Sequence, residues 1–307
     1  MRSATLPAQA GHPWLGRAAP AAFVLIWSTG FVVARFAMPH AQPLTFLSLR
    51  YALSIVAFGL WIAVARPPWP RGRVQWLHLA VTGVLMQAGY LGGVWCAVKQ
   101  GLGAGMAALI VGLQPVLTAL WVSRSGRGRG GVAARQWAGL GLGLAGLLLV
   151  VENKLHLGQA SPANVGLALL ALVSITAGTL YQKRYVAPCD VRTANTVQLL
   201  AALAVTLPLA LLEPRQFDLQ PGLVGALAWS VLVLTLGGSS LLYLLIQRGA
   251  ATGVTSLMYL VPPCAALLAW WLFDEALTPL VLAGLALTAL GVALVLRERA
   301  PVAPTPT

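Results

Sequence analysis

Ten apolar runs of about twenty residues, each closed by proline, glycine or charge, divide this 307-residue chain. They lie at residues 18–38, 43–65, 74–98, 102–122, 134–151, 163–186, 192–212, 222–247, 254–273 and 279–296. A helix rises about 1.5 Å per residue and a hydrocarbon layer is about 30 Å thick, so one run of this length matches one crossing. The expected fold class is therefore all-α, a polytopic membrane protein with ten transmembrane helices. Composition agrees: 58% of the residues are hydrophobic and 9% charged, with a mean hydropathy of +0.80, whereas a soluble domain carries about 25% charged residues. The first run follows Arg17 but is too long for a signal-peptide core and lacks a clean small-x-small cleavage site, so it reads as a retained helix.

The charges give orientation. There are 20 Lys+Arg against 7 Asp+Glu, a net charge of +13. With the N-terminus cytoplasmic, fifteen basic residues fall on the cytoplasmic side, four (Arg35, Lys99, Lys154 and Arg215) outside, and Arg50 within the second run. That asymmetry follows the positive-inside rule. It accounts for the basic balance with no nucleic-acid partner, and the run Arg124–Arg129 reads as a cytoplasmic loop beside anionic lipid. The expected location is the cell inner membrane. Residues 1–17 and 297–307 would be cytoplasmic tails and 152–162 an external connector. Cys96, Cys189 and Cys264 are too dispersed for a disulfide framework or a metal pair.

The chain also overlays itself. A shift of 148 places Gly101, Gly105, Leu109, Pro115 and Leu120 on Gly249, Gly253, Leu257, Pro263 and Leu268, and Gly30 on Gly178. A shift of 145 places Gly139, Leu142, Gly146 and Val150 on Gly284, Leu287, Gly291 and Val295. Five runs per half is odd, so the second half (163–296) must enter the membrane inverted relative to the first (18–151). Inverted repeats of this kind belong to transporters, with the substrate near the midplane between halves.

The stretch Gly249-Ala-Ala-Thr-Gly253-x5-Tyr259-x3-Pro263, followed by Asp274-Glu275-Ala-Leu-Thr278 and Gly284-x6-Gly291, resembles the second half of an EamA-type transporter of the drug/metabolite transporter superfamily. Trp27, Arg50, Gly101-x3-Gly105-x9-Pro115 and Gly139-x6-Gly146 resemble the first half. The resemblance spans nearly the whole chain and leans to the amino-acid exporters of the YddG type. It implies ten helices in two inverted repeats, a central cavity, and movement of small metabolites. It departs from the pattern after the fourth run, where Val122-Ser-Arg-Ser-Gly-Arg127 replaces the expected acid.

No acid lies in the middle of a run, so a membrane-buried proton carrier is not expected. Arg50, seven residues into its run, either snorkels to the outer interface or faces the cavity and meets a substrate carboxylate. Cavity-lining candidates are Trp27, Arg50, Gln87, Tyr90, Gln114, Ser239, Tyr243 and Tyr259, because polar and aromatic groups three or four apart share a helix face. Pro115 and Pro263 are expected to kink cavity-lining helices. Gly139/Gly143 and Gly249/Gly253 have the spacing for close helix contact, within a monomer or across a weak homodimer.

Other classes fare worse. An embedded enzyme would need a nucleophile and base or a metal cluster, yet His12, His40, His78 and His156 are scattered and no H-E-x-x-H or G-x-S-x-G occurs. No cofactor or metal is expected. A channel remains an alternative, as do exporters of drugs, nucleotide sugars or lipid-linked sugars. The expected function is secondary transport of small metabolites, amino acids foremost, by alternating access.

Overall fold

The computed structural model describes residues 13–124, 134–156, 160–247 and 260–296. Their helices are α1 (Pro13–Ala37), α2 (Pro43–Ala65), α3 (Arg73–Lys99), α4 (Ala104–Val111), α5 (Gln114–Arg124), α6 (Ala134–His156), α7 (Pro162–Tyr185) and α8 (Val191–Ala210). After these come α9 (Pro221–Trp229, continuing through Ser230–Ser239 into Ser240–Gln247), α10 (Val261–Phe273) and α11 (Pro279–Leu296). Among the described residues there is no strand, only an isolated bridge between Ala41 and Phe217. Proline opens several helices, α2, α7 and α9 among them. It suits that place because the first turn needs no N–H and its φ is already helical.

Pro43–Ala65, Arg73–Lys99, Pro162–Tyr185, Val191–Ala210 and Pro221–Tyr243 are each long and apolar enough to cross a membrane, and five shorter apolar helical stretches accompany them. Large apolar side chains such as Leu60, Val64, Leu170, Val173 and Trp271 point outward, as they would toward lipid.

Two boundaries shift from the sequence reading. Helix α1 begins at Pro13, inside the segment expected to be a tail, and α6 continues to His156, into the expected connector. Charge ends an apolar run, but backbone hydrogen bonding continues past it. The run 102–122 is not one helix either. It divides at Gly112 and Leu113, and Pro115 lies in the first turn of α5. Pro263 similarly lies in the first turn of α10. The expected proline kinks are thus helix starts, where the missing donor costs nothing.

Helix α2 packs against α8, α3 against α7 and α8, α4 against α10, α6 against α11, and α1 against both α9 and α10. The α6–α11 seam is backbone on backbone. A Cβ on Gly146 would lie 2.6 Å from the Gly284 carbonyl oxygen, and one on Gly291 would lie 2.5 Å from the Gly139 carbonyl oxygen. These glycines are therefore occupied inside the monomer.

Candidate functional site

A cavity of about 720 Å3, part of it open to solvent, lies among α1, α2, α3, α7, α8 and α9. Its aromatic wall includes Trp27 and Tyr90, whose rings lie parallel with centroids 6.4 Å apart, and Trp95, which stacks on the buried Phe46 at 4.5 Å.

Arg50 sits on this wall and is 3% exposed. It does not snorkel to the interface. Its Nε donates to Thr235 Oγ1 at 3.0 Å, and that hydroxyl donates in turn to the Ser230 carbonyl at 2.8 Å. Among the described residues no ion pair reaches the guanidinium, and no Asp or Glu lines the cavity.

Of the residues singled out in the sequence, Trp27, Arg50, Gln87, Tyr90, Ser239 and Tyr243 come together here. Gln114 does not: its Nε2 donates to Thr179 Oγ1 at 3.0 Å, so it joins α5 to α7 outside the cavity lining. A polar side chain in an apolar run serves helix contacts as readily as a cavity. Tyr259 lies outside the described residues. Three further polar residues line the cavity: Gln182 on α7, and Asn195 and Gln198 on α8. They lie within a few residues of Lys183-Arg184 and Arg192, so in the sequence they read as run ends rather than lining. The Nε2 of Gln198 is buried without a hydrogen-bond partner.

Two of the lining helices widen where they meet the cavity. In α3 the segment Val84–Gly89 is π-helical, and in α9 the segment Ser230–Ser239 is too. A π-turn releases carbonyls from the regular ladder. Here side chains take them up: Tyr51 Oη donates to the Gln87 carbonyl at 2.8 Å, Thr235 to Ser230, and Ser239 to Leu234 at 3.4 Å.

The two ends of the bundle differ. At one end Glu213 accepts from the Leu44 and Thr45 N–H groups (3.0 and 2.8 Å) and from the Thr45 hydroxyl (2.9 Å), capping α2. Glu275 caps α4 at the same end, accepting from the Ala104 N–H at 3.0 Å. Lys99 Nζ donates there to the Met38 and Ala41 carbonyls. At the opposite end the Gln75 amide pairs with the Ala187 backbone in both directions (2.8 and 3.1 Å), and His78 Nδ1 meets Tyr181 Oη at 2.8 Å. Asp190 binds within its own helix start, to Arg192 and Thr193.

The chain matches the EamA-like transporter family over residues 18–152 and 163–297, once per half. It is 26% identical over 278 residues to a Salmonella typhimurium protein named "Probable amino-acid metabolite efflux pump", covering 87% of this chain and 90% of that one. It is 28% identical over 265 residues to the Escherichia coli "Uncharacterized inner membrane transporter YedA", covering 84% and 82%. A crystal structure of a protein 19% identical superposes with a TM-score of 0.66 over 90% of this chain and 94% of the other, a likeness of fold alone. A multi-pass helical bundle around an Arg-bearing cavity, matched twice by one family, is a membrane transporter of small molecules and not an enzyme: the chain belongs to the EamA-like transporter family.

Proposed function

We propose that the protein exports small carboxylate-bearing metabolites, amino acids and their derivatives, across the inner membrane by alternating access. The observation that carries this is Arg50. A guanidinium held in an apolar cavity with one neutral hydrogen bond and no acid across from it is a charge awaiting its partner. Unpaired charge within a membrane is costly, and an incoming carboxylate supplies bidentate, charge-assisted bonds. Trp27, Tyr90 and Trp95 then offer surface to an apolar or aromatic side chain.

The reading takes the chain as ten crossings, with α4 and α5 together making the fourth, arranged as two inverted five-helix halves. Several features support it. Several of the main packing pairs persist when each helix is exchanged for its counterpart in the other half, so that α3 on α7 becomes α9 on α1. The seam contacts Gly139–Gly291 and Gly146–Gly284 exchange under the shift of 145. The π segment of α3, shifted by 148, falls on residues 232–237, within that of α9. With both termini cytoplasmic, the Glu213 and Glu275 end is external and closed, and the cavity reaches toward the cytoplasm through Gln182, Asn195 and Tyr243. The names of relatives agree in part, since two carry the name "Probable amino-acid metabolite efflux pump".

The test is counterflow of labelled amino acids and N-substituted derivatives into proteoliposomes, with and without a pH gradient. Saturable exchange indifferent to the gradient is expected, because no carboxylate among the described residues lines the cavity. Arg50→Gln should lower carboxylate exchange by about two orders of magnitude, as losing one charged partner of a buried pair does. Exchange that persists at full rate in Arg50→Gln, or a substrate-driven proton flux, would overturn the reading.

A further inference from the structure

We propose that the cavity prefers a monoanionic carboxylate whose nitrogen is acylated rather than a free ammonium: an N-acyl amino acid or a similarly small amide-bearing acid. This rests on the reading of Arg50 as the carboxylate partner and narrows the substrate class of that same site.

The first ground is charge. Among the described residues the cavity lining holds one cation, Arg50, and no anion. The six described acids lie elsewhere: Glu213 and Glu275 at helix starts, Asp190 by Arg192, Asp218 beside His40 at 3.7 Å, Glu152 in the last turns of α6 and Asp274 just past the end of α10. A zwitterion docked on Arg50 would carry its ammonium into a low-dielectric space with no counter-charge, which is expensive. Backbone carbonyls freed by an unwound stretch of helix can coordinate a cation inside a membrane. In this cavity, carbonyls of both π segments (Gln87, Ser230 and Leu234) already accept from Tyr51, Thr235 and Ser239.

The second ground is the amide cluster. Gln198 is 4% exposed and its Nε2 has no partner. The side chains of Gln87 and Gln182, also on the cavity, form no hydrogen bond among the described residues. Primary amides offer donors and acceptors without charge, and the group that satisfies both at once is another amide. With the carboxylate held at Arg50, an acyl carbonyl accepts from the Gln198 Nε2, whereas an ammonium, a donor only, does not.

The third ground is spacing. Helices α2 and α8 run antiparallel, since Glu213 beyond the end of α8 caps the start of α2, and Thr193 near the start of α8 donates to Pro68 beyond the end of α2. The Ser48 hydroxyl donates to Thr206 Oγ1 at 3.2 Å, which fixes their register. Arg50 lies two residues beyond Ser48 and Gln198 eight before Thr206, so the two lie about 9 Å apart along the helix axes at 1.5 Å per residue. A small solute with a carboxylate at one end and an acyl amide a few bonds away spans that gap once two side chains lean inward.

Full-length protein in proteoliposomes tests this by counterflow of three labelled probes: N-acetyl-L-phenylalanine, 3-phenylpropionate and L-phenylalanine. N-acetyl-L-phenylalanine is expected to half-saturate at a concentration about tenfold below L-phenylalanine, with 3-phenylpropionate between them. Gln198→Leu is expected to shrink the preference for N-acetyl-L-phenylalanine over 3-phenylpropionate by about fivefold, a ratio taken within one preparation and so independent of how much variant folds. Free L-phenylalanine exchanging as well as its N-acetyl derivative, or a ratio unmoved in Gln198→Leu, overturns this inference and leaves the carboxylate reading in place. Failure of all three probes to exchange overturns both.

Discussion

At the Glu213 and Glu275 end, carboxylates carried by loops of the second half accept from backbone N–H groups that begin helices of the first half. At the Gln75 end, the contacts between halves are neutral hydrogen bonds, Gln75 with the Ala187 backbone, His78 with Tyr181 and Thr193 with the Pro68 carbonyl, and Asp190, the one carboxylate at that end among the described residues, turns back on its own helix. Charge-assisted bonds are roughly twice as strong as neutral ones, and a carboxylate at a helix start also meets the favourable end of the helix dipole. The clasped end is therefore the harder to part. The cavity accordingly extends toward the weaker end, where Gln182, Asn195 and Tyr243 lie. Sequence symmetry between halves does not oblige symmetric gates. The acid after the ninth run has its counterpart in the Arg-rich segment after the fourth, so one half supplies the clasps and the other supplies the helix starts.

The contrast can be broken most strongly at Glu213. Glu213→Ala removes three hydrogen bonds and leaves two helix-start N–H groups unmet, and we expect a loss of about 3 kcal/mol, read as thermal unfolding in detergent micelles. Glu275→Ala removes one such bond and should lose about 2 kcal/mol by the same assay. Gln75→Ala, at the other end, removes a two-way but neutral and solvent-reached pair and should cost about 1 kcal/mol. If Gln75→Ala destabilises as much as Glu213→Ala, the two ends are fastened equally and the asymmetry fails.

The smallest effect concerns acid. Hydrogen bonding from Arg192 holds the Asp190 carboxyl below its ordinary value of 3.8. A depressed carboxyl contributes stability that is complete above its unfolded value and is lost as pH falls through the folded one. Asp190→Asn should therefore slightly lower unfolding temperature at neutral pH and converge with the parent protein below pH 3.8. A variant as stable as the parent at neutral pH would show the Asp190–Arg192 pair contributes nothing to that end.

Much of the helical layout was legible because hydropathy dictates where a chain can be without water. The runs 43–65, 163–186 and 279–296 correspond within a residue to Pro43–Ala65, Pro162–Tyr185 and Pro279–Leu296. Tyr90 and Tyr243 could be read from three- and four-residue spacing and Trp27 from its depth within the first run, whereas Trp95 was not among the candidates. The division of the fourth run at Gly112 could not, since glycine within an apolar run is equally common at a close contact. Indeed a Cβ on Gly112 would lie 2.5 Å from Pro262. Arg50 was legible as a residue worth testing but not as buried, because what keeps it from the interface is Thr235, 185 residues away. Gln182 and Gln198 escaped for a related reason: position within a run marks depth in the bilayer but not the direction a side chain faces. The π segments carry no sequence signal beyond the repeat itself.

One close approach has a reach beyond packing. A Cβ on Gly83 would run into the Gln198 carbonyl oxygen, so the backbone that presents Gln198 to the cavity rests directly on α3. Any larger residue at 83 would push that stretch of α8 away, moving the amide relative to Arg50 while touching no solute. If Gln198 sets selectivity, it can thus be retuned from Gly83, a residue outside the cavity lining that a survey of ligand contacts would not record.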